Sequence, residues 1–80
     1  MAKRMLDQDE RQTLQHALDV AQRAFRGHAR AMDECAKTGG NAMLSVESAR
    51  VMAEDHLRTA ERTAQLGAVI AEAEDVWIEE

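Results

Sequence analysis

The residues able to bind a metal or to act as nucleophiles are few: His16, His28, His56 and the single cysteine, Cys35. A structural zinc site takes four protein ligands and a catalytic site takes three. His28 and Cys35 lie on the same side of one predicted helix, but seven residues of helix separate them by about 10.5 Å, too far to share an ion. A contact between His28 and His56 would supply only two ligands. The sequence therefore predicts no metal and no cofactor, and it favours a role for His28 in fixing the helix register.

Nucleophilic catalysis has equally little support in the sequence. Cys35 lies near the carboxyl end of its predicted helix, where the helix dipole disfavours a thiolate. Ser45 and Ser48 read as helix-capping residues, and no histidine stands near them in the sequence. We therefore expect no catalytic residues and no enzymatic activity. A small helical-bundle enzyme or a metal carrier is a more distant alternative, and it would depend on His28, His56 or Cys35.

Composition predicts the elements that carry these residues. The chain of 80 residues has no proline, and Phe25 and Trp77 are its only large aromatic residues. Alanine, glutamine, glutamate, arginine, leucine and methionine are strong helix formers, whereas a sheet would have little β-branched or aromatic material to use. The sequence predicts an all-α fold in one domain, residues 1–80.

The spacing of apolar residues predicts an antiparallel two-helix hairpin. Helix 1 covers about residues 7–37 and starts with a capping box between Asp7 and Glu10. A turn at 38–41 contains Gly39 and Gly40, either of which supplies a left-handed residue. Helix 2 covers about residues 42–77, with Asn41 or Ser45 as its cap. The helix 1 seam alternates steps of three and four; it comprises Leu14, Leu18, Ala21, Phe25, His28, Met32 and Cys35.

Both helices have more apolar surface than one hairpin can bury. On helix 1 the apolar sector from Val20 round to Ala29 covers about half of the circumference. Helix 2 has a stripe of small residues expected to receive helix 1, namely Ala42, Val46, Ala49, Ala53, Leu57, Ala60, Ala64, Gly67 and Ala71. A second, bulky face lies about 120–180° away and comprises Leu66, Val69, Ile70, Ala73, Val76 and Trp77. We expect five of these residues, all except Val76, to form a dimer or partner interface, and we expect a homodimer that is a four-helix bundle.

Charge is unevenly distributed in a chain with a net charge of −5. No basic residue follows Arg62, while the acidic residues of this end are Glu72, Glu74, Asp75, Glu79 and Glu80. This acidic end is either a solubilising tail or a docking end for a basic partner. A basic stripe on helix 1 consists of Arg23, Arg26, Arg30 and Lys37. Acidic residues interrupt the stripe and no aromatic residues accompany it, so we do not expect direct nucleic-acid binding.

These features favour a non-enzymatic protein–protein interaction module: a self-associating helical hairpin that binds and regulates or inhibits a partner protein. The alternative is an acidic decoy that occupies the nucleic-acid-binding site of a larger protein. The longest apolar run is about five residues, far short of a membrane span or a signal sequence. Together with the lone thiol, this leads us to expect a cytoplasmic protein with no membrane partner.

Overall fold

The chain forms two packed antiparallel helices with a small strand pair at the end where the termini meet. The computed structural model describes residues 2–80. The elements in chain order are β1 (Lys3–Met5), α1 (Gln8–Lys37), α2 (Val46–Glu72) and β2 (Trp77–Glu79). The molecule is a rod measuring 49 × 24 × 15 Å. The predicted helical hairpin is confirmed, but the purely α-helical class is wrong in one respect, because β1 and β2 form a two-stranded antiparallel sheet.

The amino end of α1 is fixed by the predicted capping box. The Asp7 carboxylate accepts a hydrogen bond from the Glu10 amide at 2.8 Å, and the Glu10 carboxylate accepts one from the Asp7 amide at 3.1 Å. Two of the amides that a helix start leaves without partners are satisfied in this way.

The turn between the helices is longer than the sequence pattern predicts. Gly39 and Gly40 both have positive φ, 89° and 78°. At Gly40 a Cβ atom would lie 2.6 Å from the Leu44 carbonyl oxygen, so only glycine fits there. Asn41 accepts hydrogen bonds from the Met43 and Leu44 amides and extends the turn. Ser45 then caps α2 by accepting from the Ser48 amide. Helix α2 therefore begins at Val46, four residues after the predicted start at about residue 42.

The two helices meet along a seam of mostly small side chains. Apart from Ala64, the buried and half-buried residues of α2 follow steps of three and four; they are Val46, Ala49, Ala53, His56, Ala60, Thr63, Gly67 and Ile70. Three members of the predicted stripe, Ala42, Leu57 and Ala71, are exposed instead, and Ala42 lies in the turn before α2. In the described chain the buried residues are Leu6, Ala29, Ala36, Ala49, Ala60 and Thr63, and no large side chain is fully buried. The hairpin thus holds together with very little apolar core of its own.

Helix α2 ends at Glu72, five residues before the predicted end at about residue 77. Ala73 adopts an extended conformation, with φ −68° and ψ 136°. The last turn of α2 carries no basic residue, and the Arg11 guanidinium of α1 takes that role. It donates to the carbonyl oxygens of Ile70 at 2.8 Å, Ala73 at 2.6 Å and Glu74 at 3.0 Å. Arg11 therefore satisfies carbonyls that a helix end otherwise leaves unpaired.

The strand pair joins the two ends of the chain. Its register places Lys3 opposite Glu79, Arg4 opposite Ile78 and Met5 opposite Trp77. The Leu6 amide donates to the Val76 carbonyl at 2.8 Å, which extends the pairing toward α1. Leu6 itself is buried beneath this junction. Neither helix of the described chain contains a stretch long and apolar enough to span a bilayer.

We expect Arg11→Ala to destabilise the hairpin by about 2 kcal/mol, because hydrogen bonds from a charged donor contribute about 1.5–3 kcal/mol. Urea unfolding followed by circular dichroism measures the change. Arg30→Ala, on the exposed surface of the same helix, is the matched control and should change the free energy of unfolding by no more than about 0.5 kcal/mol. Equal effects at the two positions would contradict the capping role of Arg11.

A second expectation concerns acid stability. Arg4 pairs with Glu10 at 2.7 Å and also with Glu80. The hydrogen bond from Arg4, aided by the Asp7 amide, lowers the pKa of Glu10 from 4.5 to about 2. A carboxylate whose pKa is depressed on folding adds stability above its unfolded pKa and loses it as the pH falls toward the folded value.

The melting temperature of the wild type should therefore fall as the pH is lowered from about 5 to about 2. The melting temperature of Glu10→Gln should fall less steeply over the same pH range. Glutamine retains an oxygen for the capping box, so the variant changes the charge and not the cap. Glu61→Gln, on the exposed surface of α2, is the control and should keep the wild-type slope. Parallel curves for wild type and Glu10→Gln would contradict the contribution of the Arg4–Glu10 pair.

Candidate functional site

The outer face of the strand pair carries two large exposed apolar side chains. Met5 and Trp77 are directly opposite each other in the antiparallel register. Trp77 is 59% exposed and Met5 is 48% exposed. Alternate residues of a strand point to opposite faces, so Lys3 and Glu79 share this outer face with them. We call Met5 and Trp77, with Lys3 and Glu79 at their border, the strand-end face.

The inner face of the strand pair looks toward α1. Ile78 is half-buried there and, with Leu6, borders a shallow, mostly apolar cleft of about 490 Å³. The other residues that line this cleft are Asp9, Glu10, Thr13, Leu14 and Ala17. Arg4 lies on the same side of the sheet as Ile78, and from there its guanidinium reaches Glu10. The packing of Ile78 inward is what leaves Trp77 facing outward.

The predicted acidic end is partly neutralised by the amino terminus. Glu80 is ion-paired with Arg4, and Glu79 stands opposite Lys3 in the sheet. Arg11 is occupied by the backbone carbonyls at the end of α2. Glu72, Glu74 and Asp75 are exposed beside these groups. The five acids thus surround a mixed-charge end and do not form an uninterrupted negative surface.

The residues predicted to form one bulky face of helix 2 are distributed over four places. Leu66 and Val69 are exposed on α2, at 51% and 63%. Ile70 is half-buried on the side of α2 that meets α1, and Ala73 is half-buried just beyond the end of the helix. Trp77 is not on the helix at all, because it belongs to β2. The predicted continuity of Leu66, Ile70, Ala73 and Trp77 along a single helix is therefore wrong.

The two open sides of the hairpin differ in character. One side contains two grooves of about 290 and 440 Å³ between the helices, and we call it the polar face. Apolar residues such as Leu18, Ala29, Ala53 and Leu57 line these grooves together with charged and amide side chains, which are Gln15, Asp19, Gln22, Arg26, Arg30, Asp33 and Glu54. Projection at 100° per residue places a second set of exposed residues on the opposite side. We call this set the apolar face: Ala17, Val20, Ala24, Gly27 and Ala31 of α1, with Met52, Thr59 and Leu66 of α2.

Two of the histidines contact each other, and the cysteine lies beside the turn. The His28 and His56 rings meet edge to face with their centroids 5.4 Å apart, and His56 also stacks on Phe25 at 6.0 Å. His56 occupies a seam position of α2, while His28 is exposed. Cys35 is a free thiol whose sulfur accepts a hydrogen bond from the Asn41 side-chain amide at 3.6 Å. Within residues 2–80 no three His, Cys, Asp or Glu side chains gather to hold a metal ion.

Sequence reasoning missed the parts of the strand-end face that come from the amino terminus. Met5, Lys3 and Arg4 lie outside the helical periodicity, and the run of residues 76–78, valine, tryptophan and isoleucine, is the only local signal for a strand. Such a short run is indistinguishable from the end of a helix by periodicity alone. Arg11 was also missed, since its acceptors lie 59 to 63 residues away in the sequence.

Comparison of the chain with models of protein families, with curated proteins and with solved structures finds no match.

Proposed function

We propose that this protein is a non-enzymatic interaction module, a self-associating helical hairpin that binds and regulates or inhibits a partner protein through its strand-end face. The observation that supports this most directly is the exposed pair of Met5 and Trp77. Tryptophan and methionine are enriched in protein interfaces, and tryptophan is among the residues that dominate binding energy. An exposed tryptophan held on a hydrogen-bonded strand is positioned before the partner arrives, so little conformational entropy is lost on binding.

The total surface of the chain supports self-association. The hairpin exposes 6150 Å², whereas a compact monomer of the same mass exposes about 4,800 Å². Its radius of gyration is 16.9 Å, against about 12 Å for a compact domain of this length. The excess of about 1,300 Å² is more than the roughly 800 Å² that each partner buries in a standard interface. A second copy can cover that excess and supply the core that one hairpin lacks.

The charges around the strand-end face favour a particular kind of partner. Glu72, Glu74 and Asp75 are exposed near the apolar pair, and Glu79 borders it. A complementary partner surface has an apolar pocket for Trp77 and a basic rim, which adds to the association rate more than to the final affinity. We expect the partner to be a protein with such a pocket.

The same charges weigh against the decoy alternative. A decoy that replaces nucleic acid needs a dense array of carboxylates, because affinity for a nucleic-acid site comes mainly from charge. Here Arg4 is ion-paired with Glu80, and Lys3 stands opposite Glu79. Basic residues therefore interrupt the acidic array at its centre. Electrostatic attraction at this end therefore assists the binding of the apolar pair but does not supply the affinity by itself.

Affinity capture with the native host's lysate tests the proposal, with the immobilised wild type compared with Trp77→Ser. The wild type should retain a partner protein that Trp77→Ser loses, with at least about a tenfold fall in affinity once the partner is purified. Leu57→Ser is the matched control, since it removes an exposed apolar side chain from the polar face and should keep the partner. Trp77 is the only tryptophan, so its fluorescence should shift to shorter wavelength as the partner covers it.

A second variant separates the two candidate functions. Glutamine in place of Glu72, Glu74, Asp75, Glu79 and Glu80 removes the acidic charge but leaves Met5 and Trp77 in place. Apolar docking predicts only a modest, salt-dependent loss of affinity, because exposed charge contributes little once it is screened. A neutralised variant that no longer binds, together with a Trp77→Ser variant that still does, would contradict the proposal and favour the decoy.

A further inference from the structure

We infer that a second copy of this chain binds the apolar face. The two copies are related by a single twofold axis that is perpendicular to the helices and passes α1 near Ala24 and α2 near Thr59. This inference deepens the self-association in the proposed function and rests on it.

The apolar face carries three large aliphatic side chains that are exposed. Val20 and Leu66 are each 51% exposed and Met52 is 40% exposed, although all three are large aliphatic side chains. Between them lie Ala17, Ala24 and Ala31, which are also exposed. The opposite side carries charged and amide groups in its grooves. A twofold partner that covers the apolar face alone would leave those polar groups in water.

The residues of α1 on this face are symmetric about Ala24 to within one residue. Ala17 and Ala31 lie seven residues on either side of it, and Val20 and Gly27 lie four and three residues away. Two such helices packed antiparallel about Ala24 place Ala17 opposite Ala31 of the second copy. They also place Val20 opposite His28 of the second copy, one residue of helix, about 1.5 Å, from the level of Gly27. A Cβ atom built at Gly27 meets nothing within 4 Å in the single chain, so the open space there can accept the valine.

The residues of α2 on this face are symmetric about Thr59. Met52 and Leu66 lie seven residues before and after Thr59. Antiparallel packing about Thr59 therefore brings Met52 against Leu66 of the second copy, a pair of flexible and branched aliphatic chains. At the outer edge of the face, the same packing brings Asp55 close to the level of Arg62 of the second copy. The contact would then have an apolar centre and an oppositely charged rim, as protein interfaces generally do.

The two centres of symmetry lie at the same height along the hairpin. Both Phe25 and His28 contact the ring of His56, so His56 is level with a point midway between them on α1. Ala24 lies about 2.5 residues before that point, and in an antiparallel pair the matching position on α2 lies about 2.5 residues after His56, at Thr59. One twofold axis perpendicular to the helices therefore passes through both centres of symmetry. Two unrelated stripes would have no reason to have their centres at the same height.

The charge distribution supports this antiparallel arrangement. The axis places the strand-end faces of the two copies at opposite ends of the bundle, where their acids do not repel each other. A parallel dimer would bring both sets of exposed acids, Glu72, Glu74 and Asp75, to one end. The interface also leaves Met5 and Trp77 uncovered, because they belong to the strands and not to the apolar face.

Disulfide trapping tests the axis directly, with single cysteines introduced into a Cys35→Ser background. Ala24→Cys and Thr59→Cys should each form a disulfide-linked dimer under mild oxidation, since a residue on a twofold axis meets its own copy. Val20→Cys is a control on the same face: its two copies would lie about 12 Å apart along the helix direction, beyond the reach of about 7 Å between Cα atoms. Leu57→Cys is a control on the polar face. Neither control should link.

Gly27→Leu tests the pairing of Gly27 with Val20 without oxidation. The leucine has room in the single chain and improves helix propensity, so the circular-dichroism signal should persist. In the dimer it should collide with Val20 of the second copy and raise the dissociation constant by at least about tenfold, as measured by sedimentation equilibrium. Arg26→Leu adds the same side chain at the neighbouring residue on the polar face and should leave the constant unchanged.

The outcomes distinguish this inference from the function on which it rests. A wild type that is monomeric at micromolar concentration would contradict both the self-association and the axis. A dimer that links through Leu57→Cys and not through Ala24→Cys would overturn the face alone. Links at Val20→Cys with none at Ala24→Cys, or a Gly27→Leu dimer as tight as the wild type, would overturn the register. The partner capture with Trp77→Ser is independent of all these results.

Discussion

The structure depends on the close approach of two helix backbones along a seam of small side chains. Ala49, Ala53 and Ala60 on α2 bring α1 near, but each contributes little apolar area. At about 25 cal/mol per Å² of buried apolar surface, an alanine seam stabilises a hairpin far less than a leucine seam would. Two large aliphatic side chains, Val20 and Leu66, lie outside the seam and are exposed in a single hairpin.

Because the seam contributes little stabilising free energy, other contacts hold the open end of the hairpin together. Arg11 joins the first turn of α1 to the last carbonyls of α2, and the strands add backbone hydrogen bonds between the two termini. Arg4 adds ion pairs to Glu10 and Glu80. Except for the Arg4–Glu10 pair, these contacts join residues at least 59 positions apart in the sequence, so they hold the helix ends together where fraying would otherwise begin. They also give the exposed tryptophan a defined position.

The sequence predicts the features that depend on neighbouring residues, but it does not predict the contacts between residues that are far apart in the chain. The capping box of Asp7 and Glu10 and the glycines at 39 and 40 act within a few residues, so their signals survive in the sequence. The end of α2 was misjudged because no glycine or proline marks it, and because Trp77 continues the three- and four-residue spacing from Leu66 through Ile70 and Ala73. What stops the helix there is pairing with β1, more than seventy residues away, and no periodicity records such a contact. The sequence therefore identifies Trp77 as a candidate interface residue but assigns it to helix 2, whereas it belongs to β2.

The separation of the strand-end face from the apolar face has a consequence for the proposed dimer. Copies related by the inferred axis present Met5 and Trp77 at both ends of a rod whose length is close to the 49 Å of one hairpin. Two equal docking faces at a fixed spacing raise affinity only for a partner that offers two sites at that spacing, since the second contact then becomes intramolecular. A partner with one site gains nothing from the second face. The rigidity of the rod, fixed by Arg11 and the strand pair at each end, would therefore select dimeric or repeated partners over single ones.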